Sequence, residues 1–599
     1  MKVFAPLSAL VFAAVQASHS ATWMGATHHM HSTADVCGSA HLSQCDFPMS
    51  GRRLEESSDS ITVSSTSLAH LAKVDVTFHV ATGNATDRVT AYCANNVADT
   101  ADSEYIDFQP ASGNPKATLT FGPLLNMRCD YQFRYLKNLG NKTFQTLAVS
   151  PVVKMVRGNT EPLQVHIALT KNQDEMSISW TSDKVKCPTV RYYTETDSRE
   201  SDEFTYVAAT GASYTAADMC SAPANITSAQ LYIPSGVHYT GVIKNIPAGA
   251  TVTYQVGSNA SGWSKIKEFV MPDLASKEAS SFFVFGDVGT WVTATNGTGL
   301  PGRSAGTLQR VADDLDRGDH NYQAVLHVGD LSYADSIGYE WEQFMSLIEP
   351  VASQLPYMVS VGNHEYCYLN STKAIDISGE AKTFYAIKPK ASSGGECGVP
   401  TALRFNVPDN GNKVFWYSFN AGLAHHVVLS SEHDFNAGSR LRKWLEADLA
   451  AVDRTALPWV FVHFHRSMYV SMSGTFTYTD ILRPALEPVL KKYAVDAFFS
   501  GHTHAYERTC PVLDQTCVTG PNGEAKGPVH IMIGSAGKAL DPEPWESRAW
   551  SIKQLRTYGY GRLHVHNATH AQVEFVLNAD GTVADNSWIV SDHKWNVVA

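Results

Sequence analysis

The sequence predicts a multidomain protein in which two all-β sandwiches precede an α/β domain. Three observations carry that expectation. The chain has 599 residues, more than one hydrophobic core can organise. In its first half, apolar residues recur with period two between turn residues, the mark of half-buried strands. From Ser281 onward, short continuous apolar runs alternate with helical patterns, as buried strands joined by helices require.

At the N-terminus, Lys2 precedes an apolar stretch from Leu7 to Val15 that ends in small residues near Ala17. This is the pattern of a secretory signal peptide and assigns residues 1–20 to one. Residues 21–67 read as a linker or processed segment, because Gly51 to Ser67 is rich in Ser and charge without apolar periodicity. Arg52-Arg53 within it reads as a solvated charge pair, with cleavage as the alternative.

Residues 68–158 form the first expected sandwich, of unassigned role, from the alternation of Val74, Val76, Phe78 and Val80 and later of Tyr131, Phe133 and Tyr135. A spacer, a dimer contact and an adhesion module are its candidate roles. Residues 159–275 form the second, where Met176, Ile178 and Trp180 alternate with polar neighbours and Val252, Tyr254 and Val256 close the unit. Its strand pattern has immunoglobulin/fibronectin III-like character, and the first unit is assigned to the same class from strand pattern alone. No residue-level repeat links the two.

Residues 281–599 form the α/β domain. Its expected strands are Phe282 to Phe285, Ala324 to Val328, Tyr357 to Val361, His426 to Ser430, Trp459 to Phe464 and Ala497 to Ser500. Helical spacing appears in Leu308, Val311 and Leu315, and in Leu441, Trp444, Leu445 and Leu449.

Composition excludes some functions. With 46 basic and 58 acidic residues the formal net charge is -12, and no long basic run could neutralise a nucleic-acid backbone. After the leader, no stretch reaches the roughly 18 apolar residues of a membrane span. The tail from Lys594 to Ala599 is too polar for a lipid-anchor signal.

The 10 cysteines fall into near neighbours: Cys37 with Cys45, Cys93 with Cys129, Cys187 with Cys220, Cys367 with Cys397, and Cys510 with Cys517. None has the tight two-residue spacing of a zinc knuckle, so five disulfides are the structural expectation, although spacing does not fix connectivity. Acceptor patterns for N-glycosylation start at Asn84, Asn141, Asn225, Asn259, Asn296, Asn370 and Asn567. Together with the leader they place the mature protein outside the cell.

The chemistry sits where the α/β strands end. The first strand runs into Gly286-Asp287-Val288-Gly289, the second into Gly329-Asp330-Leu331-Ser332-Tyr333, and the third into Gly362-Asn363-His364-Glu365. The fifth ends in Val462-His463-Phe464-His465-Arg466, and the last in Gly501-His502-Thr503-His504. Glycines let the chain turn sharply there, and open α/β sheets gather ligands at the carboxyl ends of their strands. Oxygen and nitrogen donors of this mixture suit hard or borderline cations, and two adjacent ions can clamp a phosphate. Any one block alone is weak, since a Gly-Asp after a strand is common. All five in strand context point to a dinuclear hydrolase.

These blocks resemble those of the purple acid phosphatases, a branch of the metallophosphoesterases, from about Leu163 to the C-terminus. Pro458-Trp459, Arg466-Ser467-Met468-Tyr469 and Ser431-Glu432-His433 are similar to the text of the larger plant-type members. The resemblance implies a metallophosphoesterase-like catalytic domain, a β-sandwich flanked by helices that includes a C-terminal purple acid phosphatase segment, preceded by the family's N-terminal domain. It implies that Asp287, Tyr333 and His504 bind Fe(III), that Asn363, His465 and His502 bind a divalent ion (Zn, Mn or Fe(II)), and that Asp330 bridges them. His364 would contact the phosphoryl group or donate a proton to the leaving oxygen.

The implied activity is that of a secreted acid phosphatase on phosphate monoesters, with a metal-bound hydroxide as nucleophile. Alternatives are a phosphodiesterase or nucleotide pyrophosphatase on the same centre, and, in another class, a non-catalytic secreted binding protein. The candidate partners are a phosphate ester substrate and a second copy of the chain as a homodimer.

Within the fifth block, both His463 and His465 can end a Val-X-X-His pattern; Arg466, Met468 and Tyr469 favour His465. The family's usual proline is replaced by Ser467, and Val470 to Asp480 lacks the histidine pair that some plant members place there. Glu365 and Glu507 are candidates for supporting the ligands or for structural ion pairs.

Overall fold

The computed structural model describes residues 59–94, 101–141, 143–195, 204–290, 303–366, 375–380, 392–474 and 476–595. The leader, Arg52-Arg53, Cys37, Cys45, Cys367, Asn296 and Asn370 lie outside the described residues.

The first β unit has two main sheets. One orders Ser60–Val63, Ala72–His79 and Lys116–Leu124; the other orders Asp107–Pro110, Arg88–Cys93, Tyr131–Gly140 and Thr143–Val149. The expected alternation is what fills the space between them. Val76, Phe78 and Phe121 from one sheet meet Val89, Phe133 and Tyr135 from the other, with Phe78–Tyr135 and Phe121–Phe133 ring centroids 4.9 Å apart. Ser60–Val63 lies inside the segment expected to be linker. A short strand that buries one residue, Ile61, carries too little apolar signal to be read from sequence.

The second β unit orders Leu163–Leu169, Met176–Ser182, Val237–Ile243 and Thr210–Ala212 in one sheet. Its other sheet holds Thr205–Ala208, Thr189–Thr194, Thr251–Ser258 and Gly262–Trp263, with Lys267–Val270 paired to Thr251–Ser258. Its core is continuous with that of the α/β region, and Tyr254 donates across the junction to the Ser353 carbonyl at 2.8 Å.

The C-terminal region contains two main sheets, in line with the β-sandwich that the resemblance implies. The first orders Tyr357–Val359, Tyr322–His327, Ser280–Phe285, Gly559–Val565, His570–Leu577 and Val583–Val590. The second runs from Tyr417–Ala421 through Ala424–Leu429, Trp459–Phe464, Ala497–Ser500 and Val529–Ile533 to Tyr506–Leu513. Each has a parallel segment: Ser280–Phe285, Tyr322–His327 and Tyr357–Val359 in the first, and Ala424–Leu429 through Val529–Ile533 in the second. The strands read from sequence are thus shared between two sheets, a division that local periodicity does not encode. The helical patterns lie in Arg303–Arg317 and in Arg440–Ala451, where the Ser439 side chain caps the N-terminus by accepting from Arg442 N–H.

Disulfides join Cys93 to Cys129 and Cys510 to Cys517, as neighbour pairing suggests. The pairings of Cys187 with Cys220 and of Cys367 with Cys397 are corrected. Cys220 bonds to Cys397 with a Cα–Cα distance of 6.0 Å, and Cys187 is a free, exposed thiol. The reason is tertiary: Cys220 N–H donates to Gly395 O and Ala224 N–H to Gly394 O, so this loop of the second β unit lies on the α/β region. Among the described residues, no helix is long and apolar enough to cross a membrane.

Candidate metal centre

The two sheets bring the carboxyl ends of their parallel strands to one place. Asp287 follows Ser280–Phe285, Asp330 and Tyr333 follow Tyr322–His327, and Asn363 and His364 follow Tyr357–Val359. From the other sheet, His465 follows Trp459–Phe464, and His502 and His504 follow Ala497–Ser500. Ala424–Leu429, beside Trp459–Phe464, leads to Glu432 and His433 instead of a candidate ligand.

Two backbone requirements explain the sequence here. Asp287, Asp330, Tyr333 and His502 all have positive φ, between 49° and 70°, a left-handed conformation that side chains other than glycine adopt at a cost. The neighbouring glycines leave space as well as turning the chain. A Cβ on Gly362 would stand 2.2 Å from Asp330 Oδ1, one on Gly501 2.4 Å from Asp287 Oδ2, and one on Gly329 2.7 Å from His465 Nδ1.

The donor atoms form two close groups. In the first, Tyr333 donates its hydroxyl to Asp287 Oδ1 at 2.7 Å, and His504 Nε2 lies 2.8 Å from that hydroxyl oxygen and 3.4 Å from Asp287 Oδ1. In the second, His465 Nε2 lies 3.2 Å from each of Asp330 Oδ2, Asn363 Oδ1 and His502 Nδ1. Asp330, His465 and His502 have ligand atoms within 4.8 Å of one another.

The outer nitrogens of these histidines fix which atom faces inward. His465 Nδ1 donates to Val328 O at 3.0 Å and His504 Nδ1 to Ala539 O at 2.7 Å, which turns both Nε2 atoms toward the carboxylates. Arg466 Nη1 donates to His502 Nε2 at 3.0 Å, leaving Nδ1 toward the group. Lone pairs this close repel unless a cation stands among them, either a proton or a metal ion. Electrostatics express the same demand. Burial pulls His465 and His504 down, but Asp330 in one case and Asp287 in the other outweigh it and hold both at about 9. Burial and the adjacent Asp287 and Asp330 carboxylates push the Tyr333 phenol well above its usual range. The donor set therefore fits a pair of cations.

Supporting contacts surround the groups. His364 Nδ1 is 2.7 Å from Asp335 Oδ1, its Nε2 is 4.0 Å from Asp330 Oδ2, and its backbone N–H donates to Asp330 Oδ1. Burial lowers its pKa, while Asp330 and Asp335 raise it to a net upward shift. Glu365 accepts from Leu331 N–H and Gly362 N–H at 2.7 and 2.9 Å, so it ties the Asp330 and Asn363 loops together. Burial and Asp330 push its carboxyl up to about 8. Glu507 accepts from Ser471 and Ser551 and engages no ligand.

Arg466 is held by Glu432, Nε to Oε1 at 2.7 Å and Nη2 to Oε2 at 3.2 Å. His463 is in the core, stacked on Phe499 and bonded to His426, where burial lowers it to about 3; His465 is the one of the two that stands among the donor groups. Ser467 bonds Ser500 and removes no donor. In the stretch lacking the histidine pair, Tyr478 packs edge-on against His502 at 5.1 Å.

Sequence reasoning missed Asp335, Asp541 and Lys538. Asp335, just after Tyr333 in the second block, could have been suspected as a carboxylate partner for His364. Asp541, which accepts from His504 N–H at 2.8 Å, and Lys538, whose ammonium lies 4.1 Å from the Tyr333 ring centroid, come from a loop with no motif.

Three family profiles match the chain: the purple acid phosphatase N-terminal domain over residues 162–271, the calcineurin-like phosphoesterase over 280–506, and the iron/zinc purple acid phosphatase-like protein C over 527–586. A protein named probable inactive purple acid phosphatase 9, from Arabidopsis thaliana, is 32% identical over 504 residues, covering 77% of this chain and 74% of its own. A nucleotide pyrophosphatase/phosphodiesterase from Hordeum vulgare is 32% identical over 348 residues, 55% of this chain and 89% of its own. The structure of a purple acid phosphatase from yellow lupin (Lupinus luteus) seeds superposes with a TM-score of 0.77 at 26% identity, covering 90% of this chain and 97% of that one. The likeness runs through both β units and the two sheets that gather the donor groups, and the chain belongs to the purple acid phosphatase family.

Proposed function

We propose that the chain is a secreted acid phosphatase that hydrolyses phosphate monoesters with Fe(III) and one divalent ion, Zn, Mn or Fe(II). Asp287, Tyr333 and His504 would hold the ferric ion, Asn363, His465 and His502 the divalent one, and Asp330 would lie between them. The supporting observation is the pair of close donor groups, one rich in anionic oxygen with a phenol, the other built on imidazoles and an amide oxygen. When bound, the ions supply Lewis acidity that activates water and neutralises phosphoryl charge.

The chain's own residues do the rest. His364, steadied by Asp335 and raised toward its charged form, faces the centre and can donate a hydrogen bond to a phosphoryl oxygen or a proton to the leaving oxygen. Arg466, fixed by Glu432, adds positive charge beside His502. Glu365 keeps two ligand loops in register. Secretion is supported by the leader-like N-terminus, by the three disulfides, and by the exposure of Asn84, Asn141, Asn225, Asn259 and Asn567, which are the proposed glycan acceptors.

A second reading, cleavage of diesters or nucleotide pyrophosphate, is favoured by the name of the barley relative. A non-catalytic role is suggested by the Arabidopsis relative's name, and the full donor set in this chain argues against it. Metal quantitation and a visible spectrum of the purified protein test the centre, with p-nitrophenyl phosphate, its bis ester and ATP assayed in parallel. We expect two ions per chain, a phenolate-to-iron band and fastest turnover of the monoester. Asp330→Ala with unchanged metal content and turnover would refute the assignment.

A further inference from the structure

We propose that Lys538 is a positioning residue for Tyr333: its ammonium lies over the phenol ring and weakens the donation of that ring's oxygen to a ferric ion. The inference rests on the ferric reading above. After the strand Val529–Ile533, the chain turns back over the first ligand loop, and Lys538 N–H donates to the Asp287 carbonyl at 2.9 Å. The residue before it has no room for a side chain, since a Cβ on Gly537 would stand 2.1 Å from Val288 O. The Lys538 backbone is therefore tied to the backbone of a candidate iron ligand.

The side chain then follows the space beside Gly289, where a Cβ would meet Tyr333 Cδ2 at 3.7 Å and Lys538 Cδ at 3.9 Å. Its Nζ ends 4.1 Å from the Tyr333 ring centroid, and the His364 ring also packs on Tyr333 with centroids 4.1 Å apart. Among the described residues, no ion pair engages this ammonium; Asp335 and Glu340 act on it only through longer-range attraction. The phenol face is within cation–π reach of it.

A cation over an aromatic face is attracted to the ring's electrons, and more strongly when the ring is a phenolate. The same attraction holds electron density on the ring. It therefore raises the energy of phenolate-to-iron charge transfer and reduces the donation that stabilises iron(III) over iron(II).

The test uses the full-length, metal-loaded protein with Lys538→Met and Lys538→Arg, comparing iron content, the visible band maximum and the reduction potential. Lys538→Met is expected to keep its iron, move the band to longer wavelength and lower the potential. Lys538→Arg, which preserves a cation able to stack on the ring, should stay near the parent. A Lys538→Met protein with parental iron content, band and potential would overturn the inference. Loss of iron from Lys538→Met alone would also overturn it, because removing a nearby positive charge should favour a bound cation. A colourless, iron-free parent would refute the ferric reading and this inference with it, so the parent's own spectrum separates the two failures.

Discussion

Replacing Arg128 by Met should destabilise the protein through a contact between the first β unit and the helix that follows the Asp330–Tyr333 loop. Arg128 Nη1 and Nη2 meet the Glu342 carboxylate at 3.0 and 2.8 Å, with side-chain exposures of 7% and 2%. Glu342 belongs to the helix Gly338–Ala352, which begins just after Tyr333 and Asp335. Removing one partner of a buried pair costs about 3–5 kcal/mol, since the other charge stays buried. Here Gln164 Nε2 still donates to Glu342 and Arg404 lies 3.7 Å away, so the low end applies, about 3 kcal/mol. Urea unfolding followed by fluorescence, with limited proteolysis to locate the opening, measures the loss. Glu342→Met should cost more than Arg128→Met, because it strands two buried guanidiniums, Arg128 and Arg404, whereas the Arg128 variant leaves Glu342 facing Arg404. An Arg128→Met protein that unfolds with the parent, or a Glu342→Met protein no less stable than Arg128→Met, would refute the assignment of this pair as an interdomain brace.

Other consequences follow from the centre. Gly362→Ala places a methyl group where Asp330 Oδ1 now stands; metal content should fall while far-ultraviolet circular dichroism is kept, and full metal content would contradict the spacing argument. Asp335→Asn removes a charge that raises His364, so turnover should drop about 10- to 100-fold, and the alkaline limb of the kcat profile should move to lower pH; an unmoved limb would deny the pairing. In the metal-free protein, His465 and His504 are both held at about 9. Their contribution to stability is complete below about pH 6.5, the unfolded value, and is lost as pH rises toward about 9. Filling both sites with Zn(II) at pH 7.5 should accordingly release the protons of His465 and His504, about two per chain, besides that of the Tyr333 phenol, measured by calorimetry in buffers of different ionisation enthalpy, and the imidazole share should fade above pH 9; no release at pH 7.5 would mean the nitrogens are not ligands.

The candidate ligand positions were legible because most depend on local text: an apolar strand, a glycine, then a donor side chain. Which strand joins which of the two sheets was not legible, since a buried parallel strand reads the same in either. His463 and His465 show the limit of periodicity. They are two apart, yet the strand stops at Phe464, and the turn after it takes His465 into the centre while His463 stays in the core. The Cys220–Cys397 bond joins two structural regions across 177 residues, which neighbour spacing could not predict. Arg128, Asp541 and Lys538 act through docked loops, so only assembly reveals them.

The centre also explains why so much ordinary packing surrounds it. Four candidate ligands, Asp287, Asp330, Tyr333 and His502, sit at positive φ, at roughly 1–3 kcal/mol each. Asp287 and Asp330 are almost fully buried, and without a cation their charges rest on protonated histidines and on hydrogen bonds from the Tyr333 hydroxyl and the His364 and His502 N–H groups. Such a site persists only where the surroundings leave no easier arrangement. Glu365 pins two ligand loops, Lys538 is tied to the backbone of a third, and Ala539 and Asp541 orient His504. The core shared with the second β unit, together with the Arg128 contact from the first, prevents the helix after Tyr333 from moving away to relieve the strain. Both β units then act on the chemistry without touching it. Their effect is to keep the metal-free site close to the geometry that cations require, so that little of the binding energy is lost to rearrangement.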